Sequence, residues 1–170
     1  LADNGQYGDD GYSLLIDPTQ SVNPQTDFLN GEINNYCYGV FEGQVFIGQT
    51  DLAFYNAGRI NTRLDTSEIF SSFENTDSGI LQIALQKDLS GVGVNTGSFD
   101  FEGDVTFSDT TNIRVSVRDD NGGLTTEELD GTTFGDIIVD AAGTNEDAWR
   151  GTSFQVQDNR LDVNFNAAVI

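Results

Sequence analysis

The chain has 170 residues and carries 28 acidic side chains against 7 basic ones, with no histidine and a formal net charge of −21. That charge speaks against nucleic acid as a partner, because phosphate binding needs clustered lysine and arginine. The absence of histidine excludes serine–histidine and cysteine–histidine catalysis and imidazole metal ligands. No run of about 18 consecutive apolar residues is present, so we expect no membrane insertion.

The beginning of the chain differs in composition from the rest. Both prolines, Pro18 and Pro24, lie in residues 1–35, where apolar side chains are few. Proline restricts its own backbone and that of the preceding residue, which favours an extended path. We therefore predict an extended N-terminal arm and connector over residues 1–35, followed by a single antiparallel β domain over residues 36–170.

One short apolar run interrupts the arm. Tyr12, Leu14 and Ile16 alternate with other residues and so share one face of an extended strand. An isolated strand cannot bury that face or satisfy its backbone groups alone. Two outcomes remain open: the strand adds to the sheet of another copy, which makes Tyr12, Leu14 and Ile16 an assembly segment, or it folds back onto its own chain.

Beyond the arm, apolar and polar residues alternate with period two, as in strands with one buried face. The pattern is clearest over residues 81–85, 113–117 and 161–165. We detect no internal repeat, and turn residues separate the runs. We predict an all-β fold, an antiparallel β-sandwich resembling a jelly roll, with a small β-barrel as the alternative. Further strands are predicted at residues 12–17, 36–47, 52–56, 60–64, 99–102, 105–108, 134–139 and 153–157.

Helix signals are short, and we expect one to three single-turn helices. Asp65 and Glu68 have the spacing of a capping box, although the residues that follow also fit an edge strand. Residues 125–129 and 144–150 are the other candidates. The second of these contains Trp149, the only tryptophan and a candidate contact residue.

Calcium is the one ion that the sequence supports, because it binds oxygen ligands in flexible loops. Asp119, Asn121 and Glu128 fall on the third, fifth and twelfth positions of an EF-hand loop, but the first position would be Val117, inside a predicted strand. We predict Asp119, Asp120 and Asn121 as candidate calcium ligands. A simple turn after the strand is the alternative, and no other cofactor is predicted.

The acidic residues are predicted to form a solvated surface rather than an active site. A glycosidase needs two carboxylates across a cleft, and 28 acids place some pair at that distance by chance. Lys87 is the only lysine and the only candidate base for a nucleophile. Cys37 has no second cysteine to pair with and is expected to be a small buried hydrophobe. We predict that the protein is not an enzyme.

Aromatic residues recur at even spacing on the predicted strands. Phe99, Phe101 and Phe107 form one such set, and Tyr36 and Tyr38 form another. An exposed row of this kind would bind sugar, whereas an inward row would build the core. We favour core rows, because acidic residues occupy the alternate positions beside the phenylalanines.

Three strand–turn–strand segments, residues 43–46, 51–64 and 99–107, are similar to barrel strands of transferrin-binding-protein-like bacterial surface domains. The resemblance covers about a third of the chain and lacks the closing strand, rich in glycine and glutamate, of those barrels. It implies a small barrel that binds a ligand or a host protein.

The acidic composition with a single lysine favours an extracellular or cell-surface location in a bacterium. We therefore predict a secreted, non-enzymatic structural subunit of an extracellular filament or layer, which acts in adhesion or self-assembly through contacts with copies of itself. Other surface proteins and glycans are further candidate partners. The alternative is a surface binding module, either the barrel above or a carbohydrate-binding sandwich.

Overall fold

A computed structural model describes residues 12–16, 31–90, 93–107, 112–118, 123–130, 132, 134, 137–140 and 153–156. This part of the chain is mostly β structure, with one short helix, α1, at Thr126–Leu129. The strands are β1 (Tyr12–Ile16), β2 (Glu32–Asn35), β3 (Val40–Glu42), β4 (Gln44–Ile47), β5 (Ala53–Asn56), β6 (Arg59–Asn61), β7 (Thr66–Ile69), β8 (Ser72–Asn75), β9 (Ile80–Lys87), β10 (Val94–Thr96), β11 (Ser98–Phe101), β12 (Val105–Phe107), β13 (Asn112–Arg118), β14 (Ile138–Asp140) and β15 (Ser153–Val156).

The strands form three sheets that the chain visits in turn. Sheet 1 has the order β2-β5-β8-β12, sheet 2 the order β3-β6-β9-β13-β15, and sheet 3 the order β1-β4-β7-β11-β14. Every neighbouring pair in these orders is parallel, and the β9–β10 hairpin is the only antiparallel pair among the described strands. The chain therefore winds as a three-sided parallel β-helix. Coil 1 contains β2 to β4, coil 2 contains β5 to β7, coil 3 contains β8, β9 and β11, and coil 4 contains β12 to β14.

The predicted antiparallel sandwich, with its jelly-roll topology, is wrong, and so is the alternative barrel. Alternating apolar and polar residues give a strand one buried face whether its neighbours run parallel or antiparallel. Parallel neighbours need a long connection, which normally implies helices. Here the other two strands of each coil supply that connection, so the short turns join different sheets instead of making hairpins.

The coils form an internal repeat that the sequence analysis missed. Asn35, Asn56 and Asn75 occupy equivalent places, paired in register through β2, β5 and β8. Each asparagine stands two residues after an apolar residue and shortly before a glycine. The spacings are 21 and 19 residues (56 − 35 and 75 − 56). The repeat is short, and the turn after each asparagine varies in length, which conceals it.

The core consists of side chains stacked from coil to coil. Phe54 and Phe73 meet edge to face, with ring centroids 5.3 Å apart, and Phe73 lies 4.8 Å from Phe101. Phe99 and Phe101 are fully buried, which confirms the core row predicted for them, and Phe107 is half-buried. Each column places one position of a coil above the same position of the next: Ile33, Phe54, Phe73 and Val105 on sheet 1, Phe41, Ile60, Leu81 and Ile113 on sheet 2, and Ile47, Ile69 and Phe101 on sheet 3.

Two of the helix predictions can be compared with the structure. The short helix predicted at residues 125–129 is confirmed as α1, and Thr125 and Glu128 cap it reciprocally. Of the two alternatives left open after Asp65, the structure shows the edge strand, because residues 66–69 form β7. Residues 144–150, with Trp149, lie outside the described residues.

The arm predicted over residues 1–35 contains two of the strands. Residues 12–16 are β1, and residues 32–35, expected to belong to the connector, form β2 of coil 1. The boundary at residue 35 thus falls inside coil 1.

Candidate functional site: the open edge of the first coil

A ladder of buried asparagine side chains runs along sheet 1. The Asn35 amide nitrogen donates to Asn56 Oδ1 at 2.7 Å, and the Asn56 nitrogen donates to Asn75 Oδ1, also at 2.7 Å. At the end of the ladder, Asn75 donates to the Gly79 carbonyl at 3.0 Å. Buried amides are stable only when paired, so the ladder fixes the register of coils 1 to 3. None of the three asparagines was predicted as a site residue, although their repeated spacing is present in the sequence.

Glycines let the turns after the ladder stack closely. A Cβ atom on Gly58 would lie 2.4 Å from the Gly39 carbonyl oxygen and 2.5 Å from that of Tyr36. Backbone atoms cannot retreat as a flexible side chain can. The turn of coil 2 therefore packs directly against the turn of coil 1.

The ladder is incomplete at its first member. Each Oδ1 atom faces the preceding coil, as Asn75 Oδ1 faces Asn56. Asn35 is 5% exposed, and its Oδ1 accepts no hydrogen bond from any described residue. The first coil thus presents an acceptor on the side away from coil 2.

The backbone of β2 also has no partner on that side among the described strands. The carbonyls of Gly31 and Asn35 accept hydrogen bonds from Ala53 and Ala57 of coil 2. Because alternate residues of a parallel strand point to opposite neighbours, the N–H and C=O groups of Glu32 and Asn34 point away from coil 2. Among the described strands, β2 pairs with β5 alone and β3 with β6 alone.

Apolar surface lies exposed along the same edge. Tyr36 is 74% exposed, Tyr38 96% and Val40 48%, and Cys37 between the tyrosines is also exposed. The core row predicted for Tyr36 and Tyr38 and the burial predicted for Cys37 are both wrong. The reason is local: the inward position belongs to Asn35, and the residues after it form a turn outside the sheet. Together with β2 and β3, this turn forms the open edge of coil 1.

Sheet 3 has a further strand beyond coil 1. β1 pairs in parallel with β4 of its own chain, with Leu14 opposite Val45 and Ile16 opposite Ile47. A register shift between Tyr12 and Leu14 interrupts the pairing. The described chain therefore adopts the fold-back alternative for this strand, and the assembly role of Tyr12, Leu14 and Ile16 stays a prediction.

The predicted calcium ligands Asp119, Asp120 and Asn121 lie outside the described residues, so calcium binding stays a prediction. Glu128, the twelfth position of the EF-hand pattern, caps α1 and makes an ion pair with Lys87 at 2.5 Å. The hydrogen bond with Lys87, and then the bond from the Thr125 backbone, lower the pKa of the Glu128 carboxyl. Within the described ranges, no group of three or more histidine, cysteine, aspartate or glutamate residues is arranged to hold a metal.

Acidic side chains are in register on the outer face of sheet 3. Glu68 of β7 lies opposite Asp100 of β11, and like charges directly opposite each other repel. Such columns follow from an excess of acids on a stack of parallel strands. Salt screens this repulsion, over about 8–10 Å at 0.1–0.15 M.

Family models, curated proteins and solved structures all fail to match this chain. Across the described ranges, no helix has the length and apolar character needed to span a membrane.

Proposed function

We propose that this protein is a non-enzymatic structural subunit of an extracellular filament or layer, and that it acts by self-assembly through the open edge of coil 1. The observation that carries the proposal is the set of backbone and side-chain groups at that edge that no described residue pairs. β2 and β3 each have one strand partner among the described residues, and the Asn35 amide oxygen accepts no bond from them. Unpaired strand edges are the usual route by which β proteins associate.

Exposed side chains at the edge support the same proposal. Tyr36, Tyr38 and Val40 offer apolar contact area, and tyrosine is enriched at protein interfaces because it buries a large surface at low entropic cost. A stack of parallel strands is also rigid along its axis, which suits a unit of an elongated structure. The net charge of −21 would keep subunits apart at low salt.

Light scattering over a range of protein and NaCl concentrations tests the proposal. We expect particles to grow with protein concentration, and at lower concentration when NaCl is added. Val40→Lys places a charge on the edge and should raise the protein concentration at which growth begins by about tenfold, the effect of about 1.4 kcal/mol on association.

Leu89→Lys is the matched control, because Leu89 is also an exposed apolar residue (91%), on the β9–β10 hairpin, and the substitution changes the net charge equally. Leu89→Lys should behave as the unmodified chain does. A chain that stays monomeric at every concentration and salt level would contradict the proposal, as would equal effects of the two substitutions.

A second candidate function, glycan binding, is favoured by the two exposed tyrosines. Aromatic rings on an open surface can stack on sugar faces, and Tyr36 and Tyr38 are separated by one residue in the turn after β2. Affinity electrophoresis in gels that contain polysaccharides tests it. Retardation that is lost in Tyr38→Ala and kept in Leu89→Ala would support this function over assembly.

A further inference from the structure

The two ends of the stack of coils are stepped. Among the described strands, sheets 1 and 2 begin at β2 and β3 of coil 1, whereas sheet 3 extends one strand further, to β1. At the other end, sheets 1 and 3 finish at β12 and β14 of coil 4, whereas sheet 2 extends one strand further, to β15. The two projecting strands therefore belong to different sheets.

The two steps fit together when one copy is placed on another along the axis of the stack. β15 of the first copy and β1 of the next then share one level, on sheets 2 and 3 respectively. β15 lies beside β3 of the next copy, and β1 of the next copy lies beside β14 of the first. Sheet 1 has no described strand at that level, so the contact pairs β3 and not β2.

The backbone of β3 has its open groups on the side that the contact would cover. The Gly39 carbonyl and the Gly43 N–H, on either side of β3, bond to coil 2. Because alternate residues of a parallel strand point to opposite neighbours, Phe41 also bonds to coil 2, and Val40 and Glu42 point their N–H and C=O groups away from it. No described strand lies on that side of β3.

The outer side of β15 presents the matching groups. On β9, the Ile80 N–H and the Gln82 carbonyl bond to coil 2, so the residue between them, Leu81, points its backbone groups towards β13. Leu81 is in register with Ile113, and Ile113 with Phe154 of β15. The same alternation therefore points the N–H and C=O groups of Phe154 away from β13.

These groups on sheet 2 are complementary in the register that the whole sheet uses. Continued across the contact, that register places Phe154 of one copy opposite Phe41 of the next. The Phe154 N–H then faces the Val40 carbonyl, and the Glu42 N–H faces the Phe154 carbonyl, as in any parallel pair.

Sheet 3 gives the same relation at the second pair of strands. The Ile47 carbonyl bonds to coil 2, so its neighbour Phe46 bonds to β1, and Leu15, opposite Phe46, points away from β4. On the other end, the Ile137 carbonyl bonds to β11, so Ile138 points its groups outwards. In the stack, the Leu15 N–H of one copy faces the Ile138 carbonyl of the other.

Charge does not oppose this contact, although the chain has a net charge of −21. Glu42 and Asp140 are the only acidic residues in the four strands that meet. The register places Glu42 opposite Gln155 and Asp140 opposite Ile16. Like charges directly opposite each other destabilise a strand pair, and this contact contains none.

We propose that copies of this chain stack head to tail, with β15 of one copy paired with β3 of the next and β14 of the first paired with β1 of the next. This inference rests on the proposed function and names the surface that the open edge of coil 1 binds. The contact joins two different surfaces, so it generates an open filament and not a closed dimer. Each copy adds five levels of strands, about 24 Å along the axis at about 4.8 Å per level.

Disulfide formation between two single variants tests the stack. Val40 and Ser153 occupy the same column of sheet 2, so the contact would bring their Cα atoms to about 4.8 Å, within the range of about 4.4–6.8 Å for a disulfide. Val40→Cys and Ser153→Cys, each combined with Cys37→Ser, are mixed at a concentration where light scattering shows particles, and are then oxidised. We expect peptide mass spectrometry to find disulfides that join position 40 to position 153.

A mixture of Leu89→Cys and Ser153→Cys, again with Cys37→Ser, is the matched control, because Leu89 is also exposed but lies on the β9–β10 hairpin. The yield of mixed disulfide should be at least about tenfold lower in the control, since paired residues react at a high effective concentration. Equal yields in the two mixtures would overturn the stack. Disulfides that join position 40 to position 40 in place of the mixed ones would also overturn it, because they indicate a two-fold contact.

Electron microscopy of the particles gives a second measurement. An axial repeat of about 24 Å supports the stack, and a different repeat overturns it.

Light scattering on the same samples separates failure of the stack from failure of the proposed function. Particle growth without the mixed disulfide would reject the stack and keep self-assembly. A chain that stays monomeric at every concentration and salt level would reject both.

Discussion

Coils 1 and 2 differ from the region that begins with β9 in the spacing of equivalent positions along the chain. From β2 to β8, equivalent positions recur every 19 to 21 residues, and the turns after the asparagines stack directly on one another. From coil 3 to coil 4 the spacing increases to 32 residues (105 − 73), and the added residues form the β9–β10 hairpin. In coil 4 the ladder position is Phe107, opposite Asn75.

The difference shows what limits the length of a coil. A buried amide ladder requires each coil to bring its asparagine back to the same place, so few residues can be inserted between successive asparagines. After the ladder ends, the chain adds a hairpin and α1, and these bury apolar residues beside β9. Leu124 and Leu129 around α1 belong to the core cluster. In β9, Gln82 and Ala84 are buried, and so are the inward-facing residues beside them in the strand.

The largest effect is expected when the ladder is broken in the middle. Asn56→Ala leaves the Asn35 amide nitrogen and Asn75 Oδ1 without their main partners in a buried site. We expect the free energy of unfolding to fall by about 3 kcal/mol, measured by urea denaturation. Asn34→Ala, at an exposed position of β2, should change it by less than about 0.5 kcal/mol. Equal effects would mean that the ladder does not hold coils 1 to 3 together.

Truncation of a buried side chain in the region that begins with β9 should unfold only that region. Leu129→Ala removes a side chain that is 6% exposed, at a cost of about 2–3 kcal/mol. The Asp130 amide, which donates to Thr126, should lose protection from hydrogen exchange, whereas the Ala57 amide, which donates to Asn35, should keep it. Parallel losses at both amides would show that the two regions unfold as one unit.

Two glycine substitutions compare the regions directly. Gly58→Ala forces a Cβ against two carbonyl oxygens of the stacked turn, and we expect it to destabilise the chain by about 1–3 kcal/mol. Gly93→Ala brings its Cβ within 2.8 Å of an Asp88 carboxylate oxygen, at the end of a side chain that can turn away. Thermal denaturation should show a clear loss for Gly58→Ala and little change for Gly93→Ala, and the reverse order would contradict the stacking.

The smallest effect concerns the ion pair between Lys87 and Glu128. Because the pKa of Glu128 is lower in the folded chain than in the unfolded chain, the pair stabilises α1 fully above the ordinary glutamate pKa of about 4.3. This contribution is lost as the pH falls through the lowered pKa. The protection factor of the Asp130 amide, its exchange rate compared with that of an unstructured amide at the same pH, should therefore fall at acidic pH in the unmodified chain, with a weaker pH dependence in Lys87→Met. An identical pH profile would assign the effect to other carboxylates.

Part of the fold could be predicted from the sequence. The short strand in the arm, the short helix at residues 125–129 and the inward row of Phe99 and Phe101 follow from alternation and local spacing, which act within a few residues. The exposure of Tyr36 and Tyr38 could not be predicted in the same way, because alternation does not say where a strand ends. Only the pairing of Asn35 with Asn56 shows that Asn35 takes the last inward position of β2, so that the tyrosines after it lie in a turn outside the sheet.

The sequence by itself determined the all-β composition, the acidic surface and the positions of most strands, because side-chain alternation and turn chemistry are local properties. Only the tertiary structure decided that the strands run parallel in three sheets, since parallel and antiparallel neighbours require the same alternation. It also decided the role of the asparagines. An amide in a strand is an ordinary polar residue until another amide, some twenty residues away, is brought within hydrogen-bonding distance of it.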